Sequence, residues 1–437
     1  MRRNYLPGDI IGKMGIEKMA ERLLRPRRGI QRFKHPGEVD YEEAAKDGRD
    51  IHLTIDIELQ RLLTERMRRS GYNGSIVLLS VPSGDVLAMV SCPTYDLNTY
   101  RKKYNDLAGI SRDPDNPENL SATAQWSRIN LPLLNRAVGG AYPTGSTVKP
   151  ITALGGLGAG KITPNSIITC TGFYRTIDSK PRFRCWIYKL PQKMHPPLDL
   201  VGGLKNSCNI YFYEVGNRLG WRVLTDWLKW AGFGELAGTG LPEERTGVVA
   251  TEEYLHRYKN RGFVPSDAWL MAIGQGIFDA TPLQVANAHA TIARDGVFLS
   301  PRISLEGAPP QVRRNLPVPE DYVRKIREGM YAVVNEPGGT AFKHWRNARP
   351  RLDVRVCGKT GTAETSPQRI DSDGDGRRDK IVRKGDHAWF AGFAPYKNPQ
   401  IAFAVIAEYA GSGGKHAVPI AKDVLRICRK LGYLRSK

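Results

Sequence analysis

The chain has 437 residues, 41% hydrophobic and 25% charged, a balance that excludes a disordered or fibrous protein and is long enough for one large domain with an appendage. Lys and Arg outnumber Asp and Glu to give a formal net charge of +21, which favours an anionic partner (nucleic acid, lipid headgroups or an acidic polymer) without choosing among them. No stretch approaches the roughly 18 apolar residues that cross a bilayer, and Arg2, Arg3 and Asn4 after Met1 do not read as a signal peptide, so the chain as it stands is expected to be soluble.

Residues 1–48 differ from the rest. A short helix-like stretch around Ile16 to Leu24 leads into a basic, turn-rich segment, Arg25 to His35. From 49 to 437 the pattern is globular. Ile51 to Asp56 alternates like a strand, and Glu58 to Ser70 reads as a helix. Gly74–Ser80 and Gly84–Val90 are apolar strands joined by a Pro82-Ser83 turn, which predicts a hairpin. From Leu131 to about Gly296 the chain reads as mainly helical. Thr281-Pro282, a cap followed by proline, opens a helix through Ala293. Strands are expected again at Val354–Val356, Ala388–Phe393 and Ile401–Ala407, and a helix from Val418 to Leu431. Hairpin, helical block, strands and closing helix describe an α+β fold with an antiparallel sheet.

Three short motifs carry chemistry: Ser146-Thr-Val-Lys149, Ser207-Cys-Asn209 and Lys359-Thr-Gly-Thr362. A serine hydroxyl is a poor nucleophile until a neighbouring base takes its proton. On a helix opened by Ser146, Lys149 lies one turn on and shares its face. Burial and a second nearby cation would lower the lysine's pKa from its usual ~10.4, and Lys359 and Ser207 are candidates for the second cation and a proton relay. Another S-x-x-K, Ser412-Gly-Gly-Lys415, sits in a glycine-rich loop, so the first motif alone is weak. The three in this order are strong.

With their surroundings, these motifs resemble the transpeptidase domain of class B penicillin-binding proteins, especially the elongation type called penicillin-binding protein 2. The likeness includes Gly12–Glu17, Leu53–Asp56, Tyr142–Pro150, Gly274-Gln-Gly276 with Thr281–Gln284, Gly358–Glu364 and Asp386–Pro395. It implies the penicillin-binding and serine β-lactamase-like fold, an antiparallel sheet flanked by helices with a helical subdomain. It also implies a D,D-transpeptidase that cross-links peptidoglycan stem peptides through an acyl-enzyme on Ser146 and is acylated by β-lactams. Lys149 would be the general base, Ser207 the proton relay, and Asn209 a positioning group. Lys359, Thr360, Gly361 and Thr362 would hold the substrate carboxylate, and backbone N–H groups of Ser146 and Thr362 would form the oxyanion hole. No cofactor is needed for that chemistry. The implied location is the periplasmic, extracytoplasmic face of the cytoplasmic membrane, beside a SEDS-family glycan polymerase. Relatives carry a membrane helix and a long pedestal before the region matching Gly12. Here only about 48 residues stand there, a remnant of that linker, and the anchor is absent from this chain.

Cys170, Cys185, His195 and Cys208 are spaced C-x14-C-x9-H-x12-C, three thiolates and one imidazole that suit a closed zinc site. Some members of the family carry a structural zinc near this motif. A Cys170–Cys185 disulfide and buried free thiols stay open as alternatives. Asp371 to Asp379 begins like a calcium loop but has Val382 at its twelfth position, so a solvated hairpin tip is expected. There is no phosphate loop, no dinucleotide fingerprint and no G-x-S-x-G elbow, and no nucleic-acid motif accompanies the charge. Two other readings survive: a D,D-carboxypeptidase or β-lactamase-type hydrolase, and a non-catalytic penicillin-sensing or scaffold relative.

Overall fold

A computed structural model describes residues 9–111, 120–177, 180–188, 193–306, 312–371 and 377–435. Its centre is a five-stranded sheet made of β1 (Gly74–Ser80), β2 (Val86–Cys92), β3 (Cys357–Ala363), β4 (His387–Ala394) and β5 (Ile401–Ala407), with the spatial order β3-β4-β5-β1-β2. Every neighbouring pair is antiparallel. The expected hairpin is β1–β2. The fold is therefore α+β with an antiparallel sheet.

Both faces of the sheet are covered, so its inner strands read as continuous apolar runs rather than as alternation. Val77, Leu79, Trp389, Ala391 and Ile406 share one core cluster, while Ile76, Leu78, Phe390, Phe403 and Val405 belong to the other. The second face is covered by α1 (Ile57–Arg69) and by α7 (Val418–Lys430). The first face takes α5 (Pro282–Ala293), whose every residue is buried. Thr281 caps α5 by accepting from Gln284 N, and Gln284 returns the bond to Thr281 N, a reciprocal cap at the proline start that the sequence predicts. Beyond α5 lies the helical block with α2 (Lys149–Gly158), α3 (Leu200–Lys205), α4 (Asn209–Trp230) and α6 (Glu320–Asn335).

Two strand expectations fail. Ile51–Asp56 forms one isolated bridge, Leu53 to Ser304. Thr54 spends its hydroxyl on the Val86 and Arg302 carbonyls, and Asp56 turns to cap α1 by accepting from Leu59 N. Val354–Val356 precedes its strand rather than forming it, because the Val356 carbonyl is taken by the Asn335 amide and pairing begins at Cys357. Ser412–Lys415 leads into a helical turn, Gly413–Ala417, and is not an open loop. Residues 372–376 of the Asp371–Asp379 stretch lie outside the described residues, but flanking strands Gln368–Ile370 and Lys380–Arg383 pair as a hairpin. Within 1–48, Ile30–His35 pairs with Glu38–Glu43 in a fully exposed hairpin. No described helix is long and apolar enough to cross a membrane.

One buried polar knot ties the sheet to the segment before Ser146. Arg136, 1% exposed, donates from Nε to Glu408 Oε1 at 2.8 Å and from Nη2 to the Asn130 carbonyl at 2.6 Å. Tyr142 donates to the same Glu408 oxygen at 2.8 Å, and its backbone bridges Ala280 at the foot of α5. Removing one partner of a buried ion pair strands the other. Arg136→Ala is expected to lower the unfolding free energy by about 3 kcal/mol, read as a reduced urea midpoint at unchanged m-value.

Candidate functional site

The chain reaches Ser146 through a tight turn. Gly145 has φ +51°, and a Cβ there would lie 2.7 Å from the Thr362 carbonyl oxygen. Only glycine suits both the left-handed backbone and that approach. A 3₁₀ turn, Gly145–Val148, then passes into α2, whose first residue is Lys149 and whose second is Pro150. Proline is accommodated there because the first helical turn has no intrahelical use for its N–H. Trp389 on β4 donates to the Pro143 carbonyl at 3.0 Å, and Gly145 N donates to the Gly274 carbonyl at 2.9 Å. The Gly274-Gln-Gly276 element therefore serves the turn.

Ser207 lies between α3 and α4, with φ +52°. A non-glycine residue there stores about 1 kcal/mol of strain. The conformation turns both of its oxygens toward the Lys149 ammonium, with Nζ 2.8 Å from Ser207 O and 3.2 Å from Ser207 Oγ. Lys149 Nζ also donates to Asn209 Oδ1 at 2.8 Å. From β3, Lys359 Nζ reaches the same Ser207 Oγ at 2.8 Å. Both lysines are 0% exposed. Burial lowers the Lys149 pKa to about 8 against an opposing pull from the thiols of Cys185 and Cys208. Burial and the neighbouring Lys149 push Lys359 well below the ordinary lysine value. Two ammonium ions sharing one hydroxyl in a dry site repel each other, so the arrangement favours one charge over two.

A cleft of about 1200 Å³ opens over this cluster, lined by Ser146, Ser207, Asn209, Thr360 and Thr362 among others. Lys149 and Lys359 stand behind its wall. Gly361 is not a lining residue: a Cβ there would meet the Thr144 carbonyl at 2.8 Å, so its part is to let β3 lie against the Ser146 turn. The sequence reading gave the rest of the lining no role. Thr340 holds Thr360 through a 2.7 Å hydroxyl contact. His344, Glu364, Asp386 and the Gly411–Gly414 segment border the same space. Glu364 and Asp386 directly follow and precede a paired position, Ala363 opposite His387, a juxtaposition that only the register reveals. The wall opposite includes Phe183, Arg184 and Trp186, beside the cysteine cluster.

Cys170, Cys185, His195 and Cys208 are all buried, and their ligand atoms lie within 4.8 Å of one another. Cys185 Sγ is 3.5 Å from His195 Nδ1 and 3.9 Å from Cys208 Sγ. A tetrahedral zinc with Zn–S near 2.3 Å has edges of about 3.8 Å, so the donor set fits that ion. All six cysteines are free thiols in this structure, with no bond between Cys170 and Cys185. Cys208 is also the N-cap residue of α4, which places the cluster directly against Ser207 and Asn209.

The family model for the penicillin binding protein transpeptidase domain matches residues 74–426. Peptidoglycan D,D-transpeptidase MrdA of Haemophilus influenzae is 35% identical over 97% of this chain and 63% of its own length. The Escherichia coli K12 protein of that name is 32% identical over 94% of this chain and 63% of its own. The chain thus spans less than two thirds of these relatives. Among solved structures, Pseudomonas aeruginosa PBP2 in complex with WCK 5153 superposes with a TM-score of 0.75 at 31% identity, covering 95% of this chain and 81% of that one. Helicobacter pylori PBP2 in complex with MreC gives 0.78 at 27% identity, covering 97% and 73%.

Proposed function

Because the chain belongs to the penicillin-binding protein transpeptidase family, we propose that it is a serine-type peptidoglycan D,D-transpeptidase, acylated by its stem-peptide donor and by β-lactams at Ser146. The observation that carries the reading is the Ser207 hydroxyl shared by two buried amines at 3.2 and 2.8 Å beneath the wall that presents Ser146. Ser146 Oγ attacks the carbonyl carbon between two terminal D-alanines and gives its proton to neutral Lys149. Protonated Lys149 returns that proton through Ser207 to the departing D-alanine amine as the C–N bond breaks, which leaves Lys149 neutral and Ser207 protonated. An acceptor amine then attacks the ester and gives a proton to Lys149, which passes it to Ser146 Oγ as the C–O bond breaks, leaving an amide cross-link and the free serine.

The donor's terminal carboxylate is met by the Thr360 and Thr362 hydroxyls, which line the cleft, with the Lys359 cation behind them. Its negative charge favours the protonated form of Lys359 and, through Ser207, disfavours a second charge on Lys149. Substrate arrival thereby sharpens the base that the next step uses. Asn209 Oδ1 holds Lys149 in place. Backbone N–H groups of Ser146 and Thr362 are the proposed oxyanion donors, consistent with the close packing of the Gly145 turn against Thr362.

The cysteine cluster would hold a structural zinc through Cys170, Cys185, His195 and Cys208. That ion would supply a fixed tetrahedral tie and no open position for substrate. Cys208 would then anchor both Ser207 and Asn209. The proposed setting is the extracytoplasmic face of the cytoplasmic membrane. The proposed macromolecular partner there is a SEDS-family glycan polymerase, in keeping with similarity to a protein from a peptidoglycan synthase complex. The +21 charge suits acidic wall polymer or anionic lipid and does not call for nucleic acid.

Incubation with benzylpenicillin, followed by intact mass and peptide mapping, is expected to give one adduct per chain on Ser146, abolished in Ser146→Ala. Rapid turnover of a chromogenic cephalosporin would instead identify a hydrolase, and an adduct without cross-linking of stem-peptide donor to an amine acceptor would identify a sensor.

The pH dependence follows from Lys149, which acts as a base only when neutral. With its pKa lowered to about 8, the acylation rate constant should rise about tenfold per pH unit below that value and level off above it. A profile flat from pH 6 to 8 would remove Lys149 from the role.

Native mass spectrometry should find one zinc ion per chain. In Cys208→Ser, which removes one of the four ligands of a closed site, the ion should be lost, with slower acylation of Ser146.

A further inference from the structure

Along the fully buried helix α5, one side chain is chemically out of place. His289 is 1% exposed and sits between Ala288 and Ala290 in an apolar layer. Its Nε2 lies 3.1 Å from the carbonyl oxygen of Thr147, 142 positions away in the sequence. A carbonyl only accepts, so Nε2 carries the proton and Nδ1 is left as a bare acceptor. Nδ1 is buried and has no hydrogen-bond partner among the described residues. A buried polar atom without a partner opposes folding, and for packing alone a leucine would serve better. What the imidazole contributes is its Nε2–H.

Thr147 follows the nucleophile directly, and its carbonyl stands where the 3₁₀ turn Gly145–Val148 gives way to α2 at Lys149. Lys149 N donates to the Ser146 carbonyl. For Thr147 the equivalent donor, three residues on, is Pro150, which has no N–H. His289 supplies a donor where the helix start lacks one. The rest of the turn is tied elsewhere: Pro143 by Trp389, Gly145 by Gly274, and Thr144 by the Thr147 hydroxyl at 2.9 Å. His289 is the tie on the far side of Ser146. Burial holds the imidazole neutral, with its pKa pushed down to about 4 and the nearby Lys359 acting in the same direction. It therefore donates at neutral pH without adding a positive charge beside two buried amines.

We infer, resting on the acyl-transfer reading of Ser146, that His289 is a positioning residue for the reaction: its Nε2–H fixes the Thr147 carbonyl and thereby aims both Oγ and the backbone N–H of Ser146. His289→Leu keeps the volume and removes the donor. His289→Gln places an amide N–H at the reach of Nε2. Stopped-flow acylation with a fluorescent penicillin separates non-covalent binding from the covalent rate constant. In His289→Leu that rate constant is expected to fall tenfold or more, because small misplacements of a reacting group are costly. The dissociation constant should stay within about twofold, since ground-state contacts are untouched, and His289→Gln should recover most of the rate.

Native-rate acylation by His289→Leu overturns the inference. So does a His289→Gln protein as slow as the Leu variant while both melt at the native temperature. If the Leu variant does not fold, His289→Asn takes its place, an amide too short to reach Thr147. Slow acylation by Asn with recovery by Gln supports the inference, and native-rate acylation by Asn overturns it. A native protein that forms no Ser146 adduct at all strikes the acyl-transfer reading itself, a result distinct from any of these.

Discussion

The Ser207 hydroxyl holds two buried amines apart by the width of a single oxygen atom, with Lys149 on one side and Lys359 on the other. A buried lysine is costly when charged, and two charged neighbours cost more than twice as much because repulsion adds to desolvation. The cluster is therefore biased toward one proton fewer than two ordinary lysines would carry. In the proposed reaction that missing proton makes a base available near neutral pH. Ser207 can sit there only because the chain between α3 and α4 adopts a left-handed residue at φ +52°, which brings its carbonyl and its hydroxyl to the same Nζ. A right-handed residue at this junction would carry α3 straight on and leave Lys149 without its acceptors.

Strain at one residue persists only when the surroundings over-determine it. Here α3 is capped at its start by Asp199, which accepts from Gly202 N at 2.7 Å, and α4 begins immediately after Cys208. The cysteine and histidine donors gather on the same residue from three other stretches of chain. Opposite, β3 is held flat against the Ser146 turn by glycine contacts and by full pairing with β4 from Cys357 to Ala363. Three parts of the sequence thus meet because each is fixed by its own local structure before the side chains are considered.

Much of this was legible from residue patterns. The Thr281-Pro282 start and the last residue of α5 agree with the expectation, as do β5 and, within one residue, α1, β4 and α7. Those elements are long and strongly patterned, with caps that act locally. The strand carrying Lys359 was missed because Cys357–Ala363 contains two glycines and alternates poorly. Its glycines answer to tertiary contacts, Gly358 to the Phe390 ring and Gly361 to Thr144, which no local propensity encodes. Ile51–Asp56 failed the other way: its alternation is real, but its backbone is shared between two segments, Thr54 N bonding Ile303 O and Asp56 N bonding Leu87 O, so only one bridge closes. At the site, spacing in three motifs pointed to the residues that converge. Thr340 and His344 carry no motif, while Glu364 and Asp386, which end and open two of the segments of likeness, are brought to one place only by the register of β3 and β4. The four metal-type ligands could be named from the sequence, but their 3.5 and 3.9 Å separations could not.

The Ser146 turn is the point at which these constraints are tightest. Four residues before Ser146, Tyr142 is bound on the sheet side to Glu408 and on the α5 side to the Ala280 backbone. One residue after it, Thr147 is bound to α5 through His289. Catalysis gains from such fixing because a group already in place needs no ordering when the transition state forms. The same fixing is unfavourable to folding: Ser207 is strained, His289 Nδ1 lacks a partner, and two lysines are dry. Those penalties fall within one small region, and the two-faced sheet with its continuous apolar strands is the part of the molecule able to offset them. The buried α5 is where the two roles meet, packing against three strands while holding the turn that bears Ser146. A softer scaffold would have relaxed Ser207 and separated the amines, leaving an ordinary serine beside two ordinary lysines.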